Sequence, residues 1–331
     1  MRADHILHPT TYGLYCPPGD FFIDPVRPVP RALITHAHGD HARAGHGSVL
    51  ATRQTLEIMA IRYGEEFTGT RQEAVGTMRV GDVEVDFHPA GHVLGSAQIR
   101  IEPKSGPVIA VSGDYCRTPN PVCQPWEPVA CDVFVTEATF GLPVFRHPEP
   151  LDEMAKLLAS MAEFPDRHHL IGAYALGKAQ RVIALLRQAG YDQPIHLHGA
   201  VKRLTDYHVE QGIDLGPLLP ATQPKEIAGQ VVIAPPSAFA STWVQRFRDP
   251  VISFASGWMA VRARARQRGV ELPLIISDHV DWPQLTQTLT ELDPAETWVT
   301  HGAEEGLVRW CETQGKVARP LRLVGYDEDG E

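Results

Sequence analysis

The stretch His36-Ala37-His38-Gly39-Asp40-His41 carries four ordinary ligands of a divalent metal within six residues. His36 and His38 stand two apart on what should be a loop just after a strand, and Asp40 and His41 follow at once. One tight loop of this kind gives two ligands to one metal and two to a neighbour, with Gly39 letting the backbone fold back. His92, Asp114 and His301 complete a set, and each lies beside a glycine (Gly91, Gly113, Gly302), as backbone crowding near a site requires. In this reading one metal takes His36, His38 and His92, a second takes Asp40, His41 and His301, and Asp114 bridges them. Imidazole and carboxylate ligands suit zinc first and manganese second. Two such ions about 3.5–4 Å apart can clamp the attacking and leaving oxygens of a phosphodiester and acidify a water between them.

These side chains need elements to converge them. Short apolar runs lead into each one: Arg31 to Thr35 into His36, Val83 to Phe87 towards His92, Pro107 to Val111 towards Asp114, Asp132 to Thr136 into Glu137, Leu274 to Ser277 towards His279, and Thr297 to Thr300 into His301. Polar residues at strand ends are how sheets build sites, because loops begin there. The texture changes between Gly141 and Pro273. Leu151, Met154, Leu157, Leu158 and Met161 have helical spacing, a strand is expected at His169–Tyr174, and a helix runs from Lys178 to Gln188. That β/α alternation predicts a parallel sheet of its own. The expected organisation is a first domain over 1–141, an insert over 142–273, and a return to the first domain over 274–331.

Composition narrows the classes. With 331 residues and 43% hydrophobic content, the chain can bury a sizeable core. No apolar run is long enough to cross a membrane, and Met1 to Thr10 lacks an apolar signal core. Five cysteines, none in a CxxC pair, fit a reducing cytoplasm better than a disulfide framework. A formal net charge of −10 argues against one long basic groove, while 16 histidines favour metal.

The order of these motifs resembles the β-CASP branch of the metallo-β-lactamase superfamily. Asp24 in Phe22-Ile23-Asp24 resembles the acid that orients the histidine loop, His92 in Gly91-His92-Val93-Leu94-Gly95-Ser96 the third motif, and Asp114 in Ser112-Gly113-Asp114 the fourth. Glu137 in Thr136-Glu137-Ala138-Thr139-Phe140-Gly141, His279 in Ser277-Asp278-His279-Val280-Asp281, and His301 in Thr300-His301-Gly302 resemble the three motifs that define the branch. Ala173 to Gln180 resembles the turn before the insert's leading helix. The resemblance covers nearly the whole chain. It implies an α/β fold, a metallo-β-lactamase αββα sandwich with an inserted β-CASP α/β domain. Ala234-Pro235-Pro236-Ser237, Phe254 to Met259 and Ser277 to Trp282 are similar to bacterial DNA-ligase-associated exonucleases, relatives of Artemis-type repair nucleases. That similarity implies DNA, single-stranded or with a free end, as partner. It also implies work beside a DNA ligase and a helicase, and leans towards action from the 5′ end.

The expected chemistry is metal-assisted phosphodiester hydrolysis. Asp40 orients the water while serving as a ligand, His279 protonates the leaving oxygen, and Glu137 holds His279 in the required tautomer. Lys178 at a helix start, Ser256-Gly257, and Arg262 with Arg264, Arg266 and Arg268 are candidate substrate contacts. The alternating arginines would share one face on a strand and fan out on a helix. Arg43 and His46 are candidates for gripping a terminal phosphate, and Trp282 either stacks a base or packs. Three rivals stand beside this reading. An RNA-processing hydrolase of the same branch would share every ligand. A small-molecule hydrolase would need neither Glu137, His279 nor the insert. A non-catalytic nucleic-acid-binding scaffold would be expected to have lost ligands, and here all are present.

Overall fold

A computed structural model of the chain describes residues 2–222, 229–321 and 323. It divides into two compact units, Met1–Arg146 with His279–Gly330, and His147–Asp278.

The first unit holds two sheets. One has strands β1 (His8–Thr10), β2 (Gly13–Cys16), β3 (Phe21–Ile23), β4 (Arg31–Leu33), β5 (His46–Ala51) and β6 (Thr68–Glu73), in that spatial order. The other has β7 (Met78–Val80), β8 (Val83–Pro89), β9 (Ala97–Pro103), β10 (Ile109–Val111), β11 (Val133–Ala138), β18 (Glu296–Gly302) and β19 (Ala318–Pro320), ordered β19-β18-β11-β10-β9-β8-β7. Their inner faces share one core, in which Leu14, Phe21, Ile23, Leu33 and Leu50 of the first sheet pack with Val83, Val85, Ile99, Ile101 and Trp298 of the second. The outer face of the second sheet carries helices α7 (Trp282–Leu292) and α8 (Glu304–Thr313), through Leu285, Leu289, Leu307 and Cys311 against Phe134 and Val299. Helix α1 (Arg53–Tyr63) lies on β5 and β6. This is the αββα sandwich. Covered on both faces, β10 and β11 are buried at every residue, and Ile109–Val111 and Val133–Val135 read as apolar runs rather than alternating ones.

The second unit has a sheet of its own, and every pairing in it is parallel. Its order is β14 (Leu218–Pro220), β13 (Ile195–Leu197), β15 (Val231–Ala234), β12 (His169–Gly172), β16 (Val251–Ala255) and β17 (Leu272–Leu274). Helices α2 (Pro150–Glu163), α3 (Lys178–Gln188), α4 (Gly199–Glu210), α5 (Pro236–Phe239) and α6 (Arg262–Gln267) connect the strands. This is the inserted α/β domain. Its bounds fall five residues beyond the expected ones at each end, 147 against 142 and 278 against 273. The later exit has a local cause. β17 pairs with β16, and the Ile275 N–H donates to the buried Glu153 carboxylate at 3.0 Å, so the chain stays with this unit past Pro273.

Candidate metal centre

The centre lies at the carboxyl ends of parallel strands, where open sheets place their sites. β4 ends at Leu33, and Thr35 and His36 follow. β10 leads to Asp114, β11 carries Glu137 as its penultimate residue, and β18 carries His301. The pairing of β11 with β18 shifts register here, Glu137 facing Thr300 and Ala138 facing Gly302. His301 is the extra residue of that bulge, with φ of 59°, and such bulges re-aim side chains next to sites.

Donor atoms of His36, His38, His92 and Asp114 all lie within 4.8 Å of one another. Asp114 Oδ2 is the hub, 3.4 Å from His36 Nε2, 3.4 Å from His41 Nε2 and 3.8 Å from His92 Nε2. Asp40 Oδ2 stands 3.5 Å from His41 Nε2, and the His41 and His301 rings are 5.5 Å apart. The seven residues singled out in the sequence therefore converge. Asp24 sits behind them, 5% exposed. It accepts from the Thr35 N–H (2.8 Å), the Thr35 hydroxyl (2.6 Å) and His41 Nδ1 (2.8 Å), which turns His41 Nε2 towards Asp40 and Asp114. Sequence reasoning missed other supports. Ser96 Oγ accepts from the His92 and Val93 N–H groups, and Asn120 donates to the His92 carbonyl at 3.0 Å. Only Gly91 and Gly95, which bracket His92 to Leu94 just before Ser96, signal that turn in the sequence.

Electrostatics argue that a cation belongs here. Burial opposes charge on Asp114, yet His41 and His36 hold it well below the usual carboxylate range. Burial likewise opposes charge on His41, but Asp114 and Asp40 raise it well above an ordinary histidine. Burial and the facing His41 push His36 well below its ordinary value and His301 down to about 4. His36 Nε2 is buried with no hydrogen-bond partner among the described residues. Neutral imidazoles turned on a shared carboxylate, with one proton held on His41, fit a divalent ion in chemistry and in charge.

Beside the cluster stands a second pair. Glu137, 1% exposed, accepts from the Tyr115 N–H (2.8 Å), the Thr139 hydroxyl (2.6 Å) and His279 Nδ1 (2.8 Å). Burial raises the Glu137 pKa, and the His279 charge works against that rise. The neighbours of His279 have other duties. Val280 is core, Asp281 caps α7 by accepting from the Gln284 N–H at 3.1 Å, and Trp282 packs against the helix layer rather than standing free for a base. His46 also turns inward: its Nδ1 accepts from the Val29 N–H and burial lowers its pKa, so it is no phosphate grip.

Lys178, Ser256, Gly257 and the alternating arginines fall in the second unit. Lys178 is 2% exposed, and its ammonium donates to the Ile276 carbonyl (2.9 Å) and pairs with Asp278 (3.2 Å) instead of facing a phosphate. Ser256 is buried, with its hydroxyl accepting from the Trp258 N–H, and Gly257 is buried beside it. Arg262, Arg264 and Arg266 lie on helix α6 and Arg268 is its C-cap, so the alternating arginines fan out. Arg264 stacks 3.9 Å over Trp258 and Arg268 5.6 Å over Phe254, while Arg262 and Arg266, one helical turn apart, are exposed.

Gly91 gives a sharp test of this geometry. Its φ is 73°, and a Cβ there would lie 2.2 Å from the Cys116 carbonyl oxygen. Gly91→Ala should cost more than about 1 kcal/mol in urea unfolding. Because it displaces His92, it should also weaken metal uptake. Unchanged uptake in a titration would mean that His92 is not a ligand.

No family model matches the chain. It is 26% identical to a protein of Opitutus terrae named probable DNA ligase, over 91% of this chain and 30% of that one. It is 28% identical to the RNase aCSPSF2 of Saccharolobus solfataricus, over 46% of this chain and 30% of that one. The chain thus spans about 30% of the length of each of these relatives. A crystal structure of a protein of unknown function from Enterococcus faecalis V583 matches with a TM-score of 0.58 at 12% identity, covering 89% of this chain and 80% of that one. At that identity the likeness is one of fold. Fold, motif order and relatives agree on a resemblance to the β-CASP branch of the metallo-β-lactamase fold.

Proposed function

We propose that the chain is a metal-dependent phosphodiesterase acting on DNA, an exonuclease working from the 5′ end. One observation carries the reading: Asp114 belongs both to the His36/His38/His92 donor group and to the group of Glu137 and His279. A metal-ligand cluster and a carboxylate–imidazole pair thus meet on one side chain, as hydrolysis with a general acid requires.

His36, His38 and His92 would hold one ion and Asp40, His41 and His301 a second, with Asp114 between them and zinc preferred over manganese. Bound there, the ions supply Lewis acidity towards the phosphate oxygens and a more acidic water. Asp24 fixes His41, and Asp40 orients the attacking water. His279 gives its Nε2 proton to the leaving oxygen as the phosphorus–oxygen bond breaks, and Glu137 keeps the Nδ1 proton in place.

DNA is favoured because a segment like this chain forms part of a protein named probable DNA ligase. A ligase is the partner class this supports, and a helicase beside it rests on the motif resemblance alone. The similarity to a protein named RNase favours RNA as the second reading. Among the described residues no helix is long and apolar enough to cross a membrane; a reducing cytoplasm is our reading of five cysteines without a CxxC pair. End-labelled single-stranded DNA with a 5′-phosphate or 5′-hydroxyl, and matched RNA, should be digested with Mn²⁺ or Zn²⁺. DNA shortened from its 5′ end is expected. Cleavage of RNA alone would sink the DNA assignment, and shortening from the 3′ end would sink the polarity.

Arg262 and Arg266 are our proposed backbone contacts. Each phosphate neutralised on a single strand contributes about 0.7 to the slope of log affinity against log salt, so Arg262→Gln with Arg266→Gln should flatten it by roughly 1.4. Hydrolysis of bis(p-nitrophenyl) phosphate should be unaffected. An unchanged slope would show both arginines to be merely solvated.

A further inference from the structure

We infer that Arg62 is a positioning residue for the metal-ligand loop, and that position 39 is glycine in order to admit it. The inference rests on the metal reading of His36 to His41. Arg62 lies in the last turn of α1, before the capping residue Gly64. A cation there needs only the helix dipole to explain it. Its guanidinium goes elsewhere, however. Nη1 donates to the carbonyl of Ala37, 25 residues back in the chain, between the ligands His36 and His38. Ala37 is fully buried, so its carbonyl has no solvent partner and the charge-assisted bond satisfies it.

Gly39 supplies the second observation. The sequence reading took this glycine as a device for folding the backbone back, but it does not adopt the left-handed conformation. What it provides is room, because a Cβ at position 39 would lie 2.8 Å from Arg62 Nη2. The guanidinium therefore lies across the backbone of residues 37 to 39. Among the described residues it forms no ion pair with a carboxylate, and its other contact is the Tyr63 ring at 5.3 Å. The loop needs such a brace. It lies outside helix and strand, yet carries ligands for both proposed ions on six residues. Its own backbone bonds are the two that the His41 and Ala42 N–H groups make to the His38 carbonyl. Ala37 is held from outside the loop, by Arg62.

The test is a titration of the full chain with Co²⁺ alone, read by visible absorption and calorimetry. Arg62→Ala should weaken Co²⁺ binding about ten- to a hundredfold, as loss of a ligand-orienting group does. It should also change the absorption band, while the unfolding midpoint of the metal-free chain moves little. Arg62→Lys should recover part of the affinity, since an ammonium can still donate to the Ala37 carbonyl. Gly39→Ala should reproduce the loss and add little to it in the double variant, because its methyl group already displaces the guanidinium. Unchanged or higher affinity in Arg62→Ala, or additive losses in the double variant, would overturn the inference and leave the metal centre standing. Absence of Co²⁺ uptake by the unaltered chain would overturn both.

Discussion

Replacing Asp40 and His41 together by alanine should abolish nucleic-acid hydrolysis, halve the metal content and leave a cooperatively folded protein. In the proposed arrangement the pair supplies two of the three ligands particular to the second ion; His301 alone would remain beside the shared Asp114. A metal ion stabilises a phosphoryl transition state by several kcal/mol, and each 1.4 kcal/mol is tenfold in rate, so the loss should reach roughly three orders of magnitude or more. The fold should survive for a specific reason. Asp24 loses its bond to His41 Nδ1 but keeps the Thr35 N–H and hydroxyl, so the buried carboxylate stays solvated by the chain. The stability cost should then be about 1–3 kcal/mol, the range for one lost buried partner. Metal analysis, single-turnover digestion and urea unfolding check the three parts. Activity retained in the double variant would refute the two-metal mechanism.

The convergence of distant residues was legible because the site is built at strand ends. The runs into His36, Glu137 and His301 each show an apolar strand giving way to a polar side chain, and β4, β11 and β18 form there. The parallel sheet of the second unit followed from β/α alternation for the same reason: strands covered on both faces cannot alternate. What stayed hidden depends on contacts that no local pattern encodes. Asn120 reaches the His92 carbonyl from 28 residues away, and the bulge at His301 is a matter of register. Lys178 has the sequence of a phosphate-facing helix start, but Asp278, a hundred positions later, claims its charge. The arginines of α6 illustrate a different limit. Their alternation favoured a shared face only on a strand, and the helix that forms instead sends Arg264 onto Trp258 and leaves Arg262 and Arg266 exposed on another face.

Glu137→Gln should lower kcat roughly a hundred- to ten-thousandfold, the range spanned by general acid catalysis, with little change in KM. The buried carboxylate fixes the Nδ1 proton of His279, so Nε2 is the atom left to serve the leaving group. With the carboxylate, Nε2 carries a proton only when the ring is charged, and the negative charge stabilises that imidazolium; a glutamine can present its N–H₂ to Nδ1, which leaves a neutral ring with its proton on Nε2, a far weaker acid. His279→Ala should lose about as much, and the double variant little more, because the two act as one unit. The alkaline fall in kcat, where His279 loses its proton, should vanish in His279→Ala. A rival role is visible in the same geometry, since donor atoms of Asp114, Glu137 and His279 lie within 4.8 Å of one another and could themselves hold an ion. Metal content separates the two. A general-acid pair leaves it unchanged in Glu137→Gln, whereas a ligand pair loses an ion. The hydrogen bonds favour the first outcome. Glu137 already receives three donors, from Tyr115, Thr139 and His279, and a carboxylate engaged on every side is built to hold an imidazole rather than to bind a metal.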